Sequence, residues 1–196
     1  VTMSRRTSDL FDCIRTQGGL LPADFLARIA DPAEAKNITG LSPADYHLAG
    51  SQKITEAINR SWNSLKGHWQ DLKAKVAALP EGDAATGVTR DLWLLPLFQE
   101  LGYGRLQSAP KLEIEGRSYP VSHMWGHTPI HLLGVGLELD RTTKGAAGAA
   151  RMSPHSMVQE FLNRSTAHLW AIVSNGHKLR LLRDNKTLTR QAFVEF

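Results

Sequence analysis

Three histidines recur at intervals of four, His123, His127 and His131, a spacing at which imidazoles on one helix face can share a metal ion. Gly126 and Pro129 break a helix there. On a strand, residues four apart share a face but stand roughly 13 Å apart, too far to ligate one ion. No cysteine or carboxylate joins them, so the segment reads as a loop in which Trp125 packs and the imidazoles form hydrogen bonds. Pro154-His155-Ser156 sets a hydroxyl beside an imidazole, but sequence neighbours on a helix do not face each other. Cys13 falls on the apolar side of a short helical pattern and reads as packing. Gly134-x-Gly136 lacks the strand–loop–helix setting of a dinucleotide site and reads as close backbone packing.

The cations are distributed more tellingly. Residues 1–140 carry 14 Lys/Arg against 16 Asp/Glu, whereas residues 141–196 carry 9 against 3. Within that basic third, Leu169 to Val173 is an apolar run fit for a buried strand, and Asn175-Gly176 suits a two-residue type I′ turn. The return strand alternates, Leu179 and Leu181 on one side, Lys178 and Arg180 on the other. Arg141, Lys144, Arg151, Lys178, Arg180, Arg183 and Lys186 are the expected contacts to a polyanion.

The elements that would position these residues fall into two groups, an α+β organisation. Residues 1–80 read as a helical module. Its first part holds short helices, one capped by Ser8 and stopped by Gly18-Gly19, another from Ala23 to Ala30 stopped by Asp31-Pro32. Its last part, residues 51–79, is an amphipathic helix: Ile54, Ile58, Trp62, Leu65, Trp69, Leu72, Val76 and Leu79 recur every three or four residues, and Pro80 ends it. So long an apolar stripe needs a partner. Glu81 to Gly87 is polar and glycine-bearing and reads as a linker. Residues 87–196 read as a mixed α/β domain. A helix capped at Thr89 and carrying Pro96 opens it, then strands at 111–115, 117–121 and 128–140, a cationic glycine-alanine loop over 141–151, a helix after Ser153-Pro154, and the hairpin. Gln191 to Phe196 alternates as the middle of a strand or its approach, so a longer parent chain is expected. A single cysteine excludes an internal disulfide and fits a cytoplasmic protein. No apolar run approaches the roughly 18 residues of a membrane span, and no signal-peptide pattern opens the chain.

That order of elements, with Leu101-Gly102-Tyr103, Val158-Gln159-Glu160-Phe161-Leu162 and Val173-Ser174-Asn175-Gly176, resembles the N-terminal region of type I restriction subunits and related restriction–modification proteins. Those proteins have the PD-(D/E)xK nuclease-like fold. The wording of residues 118–140 and 151–196 is closer still to large bacterial adenine-specific DNA methyltransferases of phage-defence systems, including those of DISARM. The resemblance spans about residues 86–196. It implies a nuclease-like domain, truncated at its C-terminal end, that precedes a methyltransferase domain binding S-adenosylmethionine.

Two departures shape the functional expectation. The nuclease motif needs an Asp on one strand and Glu/Asp-x-Lys on the next, to hold Mg²⁺ and aid the attacking water. Here those positions read Tyr119-Pro120-Val121-Ser122-His123 and Ile130-His131-Leu132-Leu133-Gly134. A glycine-rich S-adenosylmethionine loop and an Asn-Pro-Pro-aromatic motif are also missing, so no cofactor is expected on this segment itself. The expectation is a non-catalytic region that contacts duplex DNA phosphates. Two alternatives stand beside it: a module docking a partner subunit or the methyltransferase body through the long helix, and a divergent nuclease using Glu113, Glu115, Glu138 or Asp140.

Overall fold

The computed structural model describes residues 13–184 and 191–196. Ser8 and Lys186 lie outside the described residues, and so does the first part of the helix expected after Ser8.

The core is a seven-stranded mixed sheet, confirming the α+β class. In chain order its strands are β1 (Arg15–Gln17), β2 (Gln107–Ser108), β5 (His123–Trp125), β6 (Thr128–Leu132), β7 (Trp170–Ser174), β8 (Leu179–Arg183) and β9 (Phe193–Glu195). Across the sheet they run β1-β9-β8-β7-β6-β5-β2. A separate hairpin pairs β3 (Leu112–Ile114) with β4 (Arg117–Tyr119). Among the described residues only β6 and β7 pair in parallel, and the helix α6 (Pro154–Arg164) lies in the connection between them. Strand β7 lies mid-sheet and is buried on both faces, which is why its sequence is apolar without alternation.

Each face is covered. Met157, Val158, Phe161 and Leu162 of α6 pack with Val173, Leu182 and Phe193 on one side. On the other, Leu94 and Phe98 pack on Ile130, Leu132 and Ile172. Those two residues belong to a helical stretch, α4 (Thr86–Thr89), a π turn (Arg90–Leu94) and α5 (Leu95–Glu100). The helix thus starts before the expected Thr89 cap. The π turn, in which Leu95 N–H donates to Arg90 O, explains how Pro96 is carried: a proline offers no N–H and its ring crowds the carbonyl four residues back, and a widened turn moves that carbonyl away. Preceding this stretch are α1 (Ala23–Ala30), α2 (Pro32–Ala35) and the long helix α3 (Ile54–Ala77). Leu65 and Leu72 of α3 are buried, and Trp69 meets Trp93 edge-on at 5.1 Å. No helix among the described residues is long and apolar enough to cross a membrane.

Four expectations are corrected by the fold. Arg15–Gln17, expected at the end of a helix, form an edge strand on β9. The strand expected over 128–140 stops at Leu132, because Gly134 and Gly136 bring the chain against the backbone of Asp83 and Ala84. For the same reason residues 81–87 are not a free linker: Ala85 is buried and Ala84 O accepts from Gly136 N–H. Finally, β7 and β8 join through four residues, Asn175 to Lys178, not two. Only Gly176 takes a positive φ, and the Asn175 side chain accepts from the N–H groups of His177 and Lys178 while donating to Leu137 O. An asparagine holding its own loop in this way does not need the left-handed conformation that a type I′ turn demands.

Candidate nucleic-acid interface

Arg180 is the largest correction among the expected contacts. It is 1% exposed, on the face of β8 that meets α6. Its Nη1 and Nη2 donate to the two oxygens of Asp140, each at 2.6 Å, and its Nε donates to Glu195 at 2.6 Å. The guanidinium also lies 4.4 Å from the Phe193 ring centre. Buried, and with its fork bound by two carboxylates, it is out of reach of a phosphate. The alternation of β8 therefore points Arg180 and Leu182 inward, while Leu179 and Leu181 face α5. A clue was present: an arginine set among Leu179, Leu181 and Leu182 sits in an apolar strand. Its acidic partners lie 40 and 15 residues away, which no local pattern reveals.

His155 completes this cluster. Arg180 Nη1 approaches its Nδ1 at 3.2 Å, which sets Nδ1 as acceptor and the proton on Nε2. Nε2 is buried without a partner among the described residues. Burial, then the neighbouring Arg180 charge, push the imidazole down to about 4. Hydrogen bonds from Arg180 hold Asp140 below the ordinary carboxylate range.

The other expected cations among the described residues do reach the surface. Lys178 and Arg141 stand at the end of the sheet where β6 and β7 finish: Lys178 in the hairpin loop, close enough to act on Asp140, and Arg141 directly after it. Both are exposed, and neither forms an ion pair among the described residues. Lys144 and Arg151 are also exposed, on the glycine-alanine loop. Arg151 lines a cleft of about 910 Å³ between that loop and β4, together with Arg117 and Met152. Arg183 lies at the far end of β8, its guanidinium 5.5 Å from the Trp170 ring. Four residues of strand separate it from the Lys178 loop, so the described cations do not form one patch.

The histidines and acids are equally dispersed. His123 pairs across the sheet with Ile130 and so faces α5, whereas His131, next along β6, faces the other side. His131 is buried under Gly148, to whose oxygen its Nε2 donates at 3.2 Å, and burial pushes it down to about 4. His127 is exposed in the turn between β5 and β6. Glu113 pairs with Lys111, Glu115 with Arg164, and Asp140 with Arg180; Glu138 points to solvent. Among the described residues no three His, Cys, Asp or Glu side chains are placed to hold a metal. Gly134 and Gly136 are filled by the 83–84 backbone, so they form no cradle for S-adenosylmethionine.

One surface feature stands apart from the charges. An apolar groove of about 630 Å³ runs between α3 and the β7–β8 hairpin, lined by Trp62, Leu65, Leu97, Leu101, Leu181 and Phe196 among others. Trp62 is 61% exposed, unlike Trp69 one heptad later. The chain matches no protein-family model, no curated protein and no solved structure.

Proposed function

We propose that this chain is a non-catalytic DNA-positioning region of a bacterial adenine-specific DNA methyltransferase or restriction–modification protein in phage defence. The order helix, strands, helix, strand, on which the resemblance rests, is accompanied by a parallel β6–β7 pair bridged by α6, in keeping with a nuclease-like scaffold. The observation that carries the DNA reading is local. At the end of β6 and β7, Arg180 offsets one of the two charges of Asp140 and Glu195 from within, and Arg141 and Lys178 stand exposed beside them without an ion pair among the described residues. Such groups hold phosphates without reading sequence.

Fluorescence anisotropy on a short duplex, titrated with salt, tests this. The Arg141→Ala/Lys178→Ala variant should bind more weakly whatever the sequence, and its log–log salt slope should fall by roughly 2, at about 0.9 per phosphate contact. Equal affinity and slope in parent and variant would remove these two residues from the interface.

The exposed Trp62 in its groove favours a second reading, that α3 docks a partner subunit or the methyltransferase body. Trp62→Ser would then break that association and leave duplex affinity unchanged.

A further inference from the structure

The end of the sheet opposite Arg141 and Lys178 carries an arrangement that contact with a duplex backbone does not use. Trp125 pairs with Thr128 across β5 and β6, and Trp170 pairs with Arg183 across β7 and β8. The parallel register of Ile130 with Ile172 sets Thr128 level with Trp170. Cross-strand partners point to one face, so Trp125, Thr128, Trp170 and Arg183 form a lateral row over four adjacent strands. The face is the one on which Ile130 and Ile172, two residues further along, pack against Leu94 and Phe98. Trp125 is 48% exposed, Arg183 is exposed, and Thr128 and Trp170 are half-buried.

The row is braced. Tyr103 meets Trp125 edge-on at 4.9 Å, and Phe98 meets Tyr103 at 5.1 Å, tying the exposed indole to the core. Arg183 lies over Trp170, where the cation gains from the ring quadrupole. Two indoles two strands apart are separated by roughly 9.6 Å of sheet, room for one or two flat rings beside them. Fixed indoles with a guanidinium at the end of their row suit unpaired nucleobases, because stacking on a free ring face accepts every base and the cation meets the strand's phosphate.

We propose that this row is a stacking platform for single-stranded DNA, a strand with bases out of the duplex. The proposal rests on the DNA reading above but uses different residues and a different end of the sheet. The probe is oligodeoxythymidylate of 20 nucleotides with one 5-iododeoxyuridine, photocrosslinked to the full chain and mapped by mass spectrometry. Adducts should fall on Trp125 or Trp170. In anisotropy with the same oligonucleotide, Trp125→Leu should lose about tenfold in affinity, the equivalent of one stacked base, and Arg183→Ala somewhat less. Trp125→Phe should keep most of the affinity. Adducts only elsewhere, absence of binding, or a folded Trp125→Leu variant that binds like the parent would overturn the proposal. If Trp125→Leu fails to fold, the crosslink map on the unaltered chain decides. Duplex binding that survives in Trp125→Leu but not in Arg141→Ala/Lys178→Ala would overturn only the platform when single-strand affinity also survives. Single-strand binding without duplex binding would overturn only the backbone reading.

Discussion

A guanidinium buried between Asp140 and Glu195 is stable only while both carboxylates are ionised and in place. Arg180→Met removes the cation and leaves Glu195, which is 10% exposed at its side chain, with only a 3.9 Å contact to Arg15, so unfolding free energy should drop by about 3–5 kcal/mol in urea titrations. Arg180→Lys should also destabilise, since an ammonium cannot grip Asp140 with two parallel bonds. A loss below 1 kcal/mol in both variants would show that the acids find other partners. Acid should act on the same region. His131 and His155 are pushed down to about 4 in the fold, against an ordinary 6.5. The unfolded chain therefore binds more protons than the folded one between those values, and stability falls as pH drops from about 6.5 towards 4. The slope is at most about 1.4 kcal/mol per pH unit for each histidine. Asp140, with its pKa lowered, adds stability that is whole above its ordinary value and lost as pH falls through the folded one, further into acid. Replacing both histidines by glutamine should flatten the profile between pH 6.5 and 4; an unchanged profile would assign it to other groups.

At the scale of elements, two glycines fix where β6 ends. A Cβ added at Gly134 would stand 1.7 Å from Ala84 O, and one at Gly136 2.8 Å from Asp83 O. Gly134→Ala cannot be accommodated by rotating a side chain, because the obstacle is backbone, so it should cost at least about 3 kcal/mol or prevent folding. Gly145→Ala is the contrast: its φ is +82° with nothing within 4 Å, leaving only left-handed strain of about 1–2 kcal/mol. Thermal melts of the two variants compare them directly, and equal losses would mean that the 83–84 backbone yields. These contacts also show which elements were legible. The stripe from Ile54 to Val76 is a local period, and α3 follows it. The apolar run of β7 and the Ser153-Pro154 start of α6 are local too. The run from Ile130 to Asp140 has the same apolar character, yet its end is set by a segment some 50 residues earlier. The inward turn of Arg180 and the row joining Trp125 to Arg183 likewise exist only once distant strands pair.

For the whole molecule, α3 is an outer layer of the core and not a separate body. Leu65 and Leu72 are buried, Trp69 packs edge-on against both Trp93 and His177, and Trp93 donates to Gly176 O at 2.9 Å, so helix, helix and hairpin are joined in series. The polar segment before α4 adds Ala84 beneath Gly134 and Gly136. Cutting the chain at residue 86 would therefore remove one wall of the hairpin and the ledge that turns β6, and expose Trp93 and Leu97. A fragment of residues 86–196 should melt well below the full chain, or bind a hydrophobic dye where the full chain does not. Side-chain variants separate packing from surface. Trp69→Ala should cost about 2–4 kcal/mol, in line with removal of a large packed aromatic. Trp62→Ser, seven residues earlier but 61% exposed, should stay within about 0.5 kcal/mol of the parent. If both substitutions are equally mild and the fragment melts with the full chain, α3 contributes little to the fold, and its apolar face is free along its length for a partner. If only Trp62→Ser is mild, α3 has divided its stripe, Trp69 turned inward to the hairpin and Trp62 left on the groove.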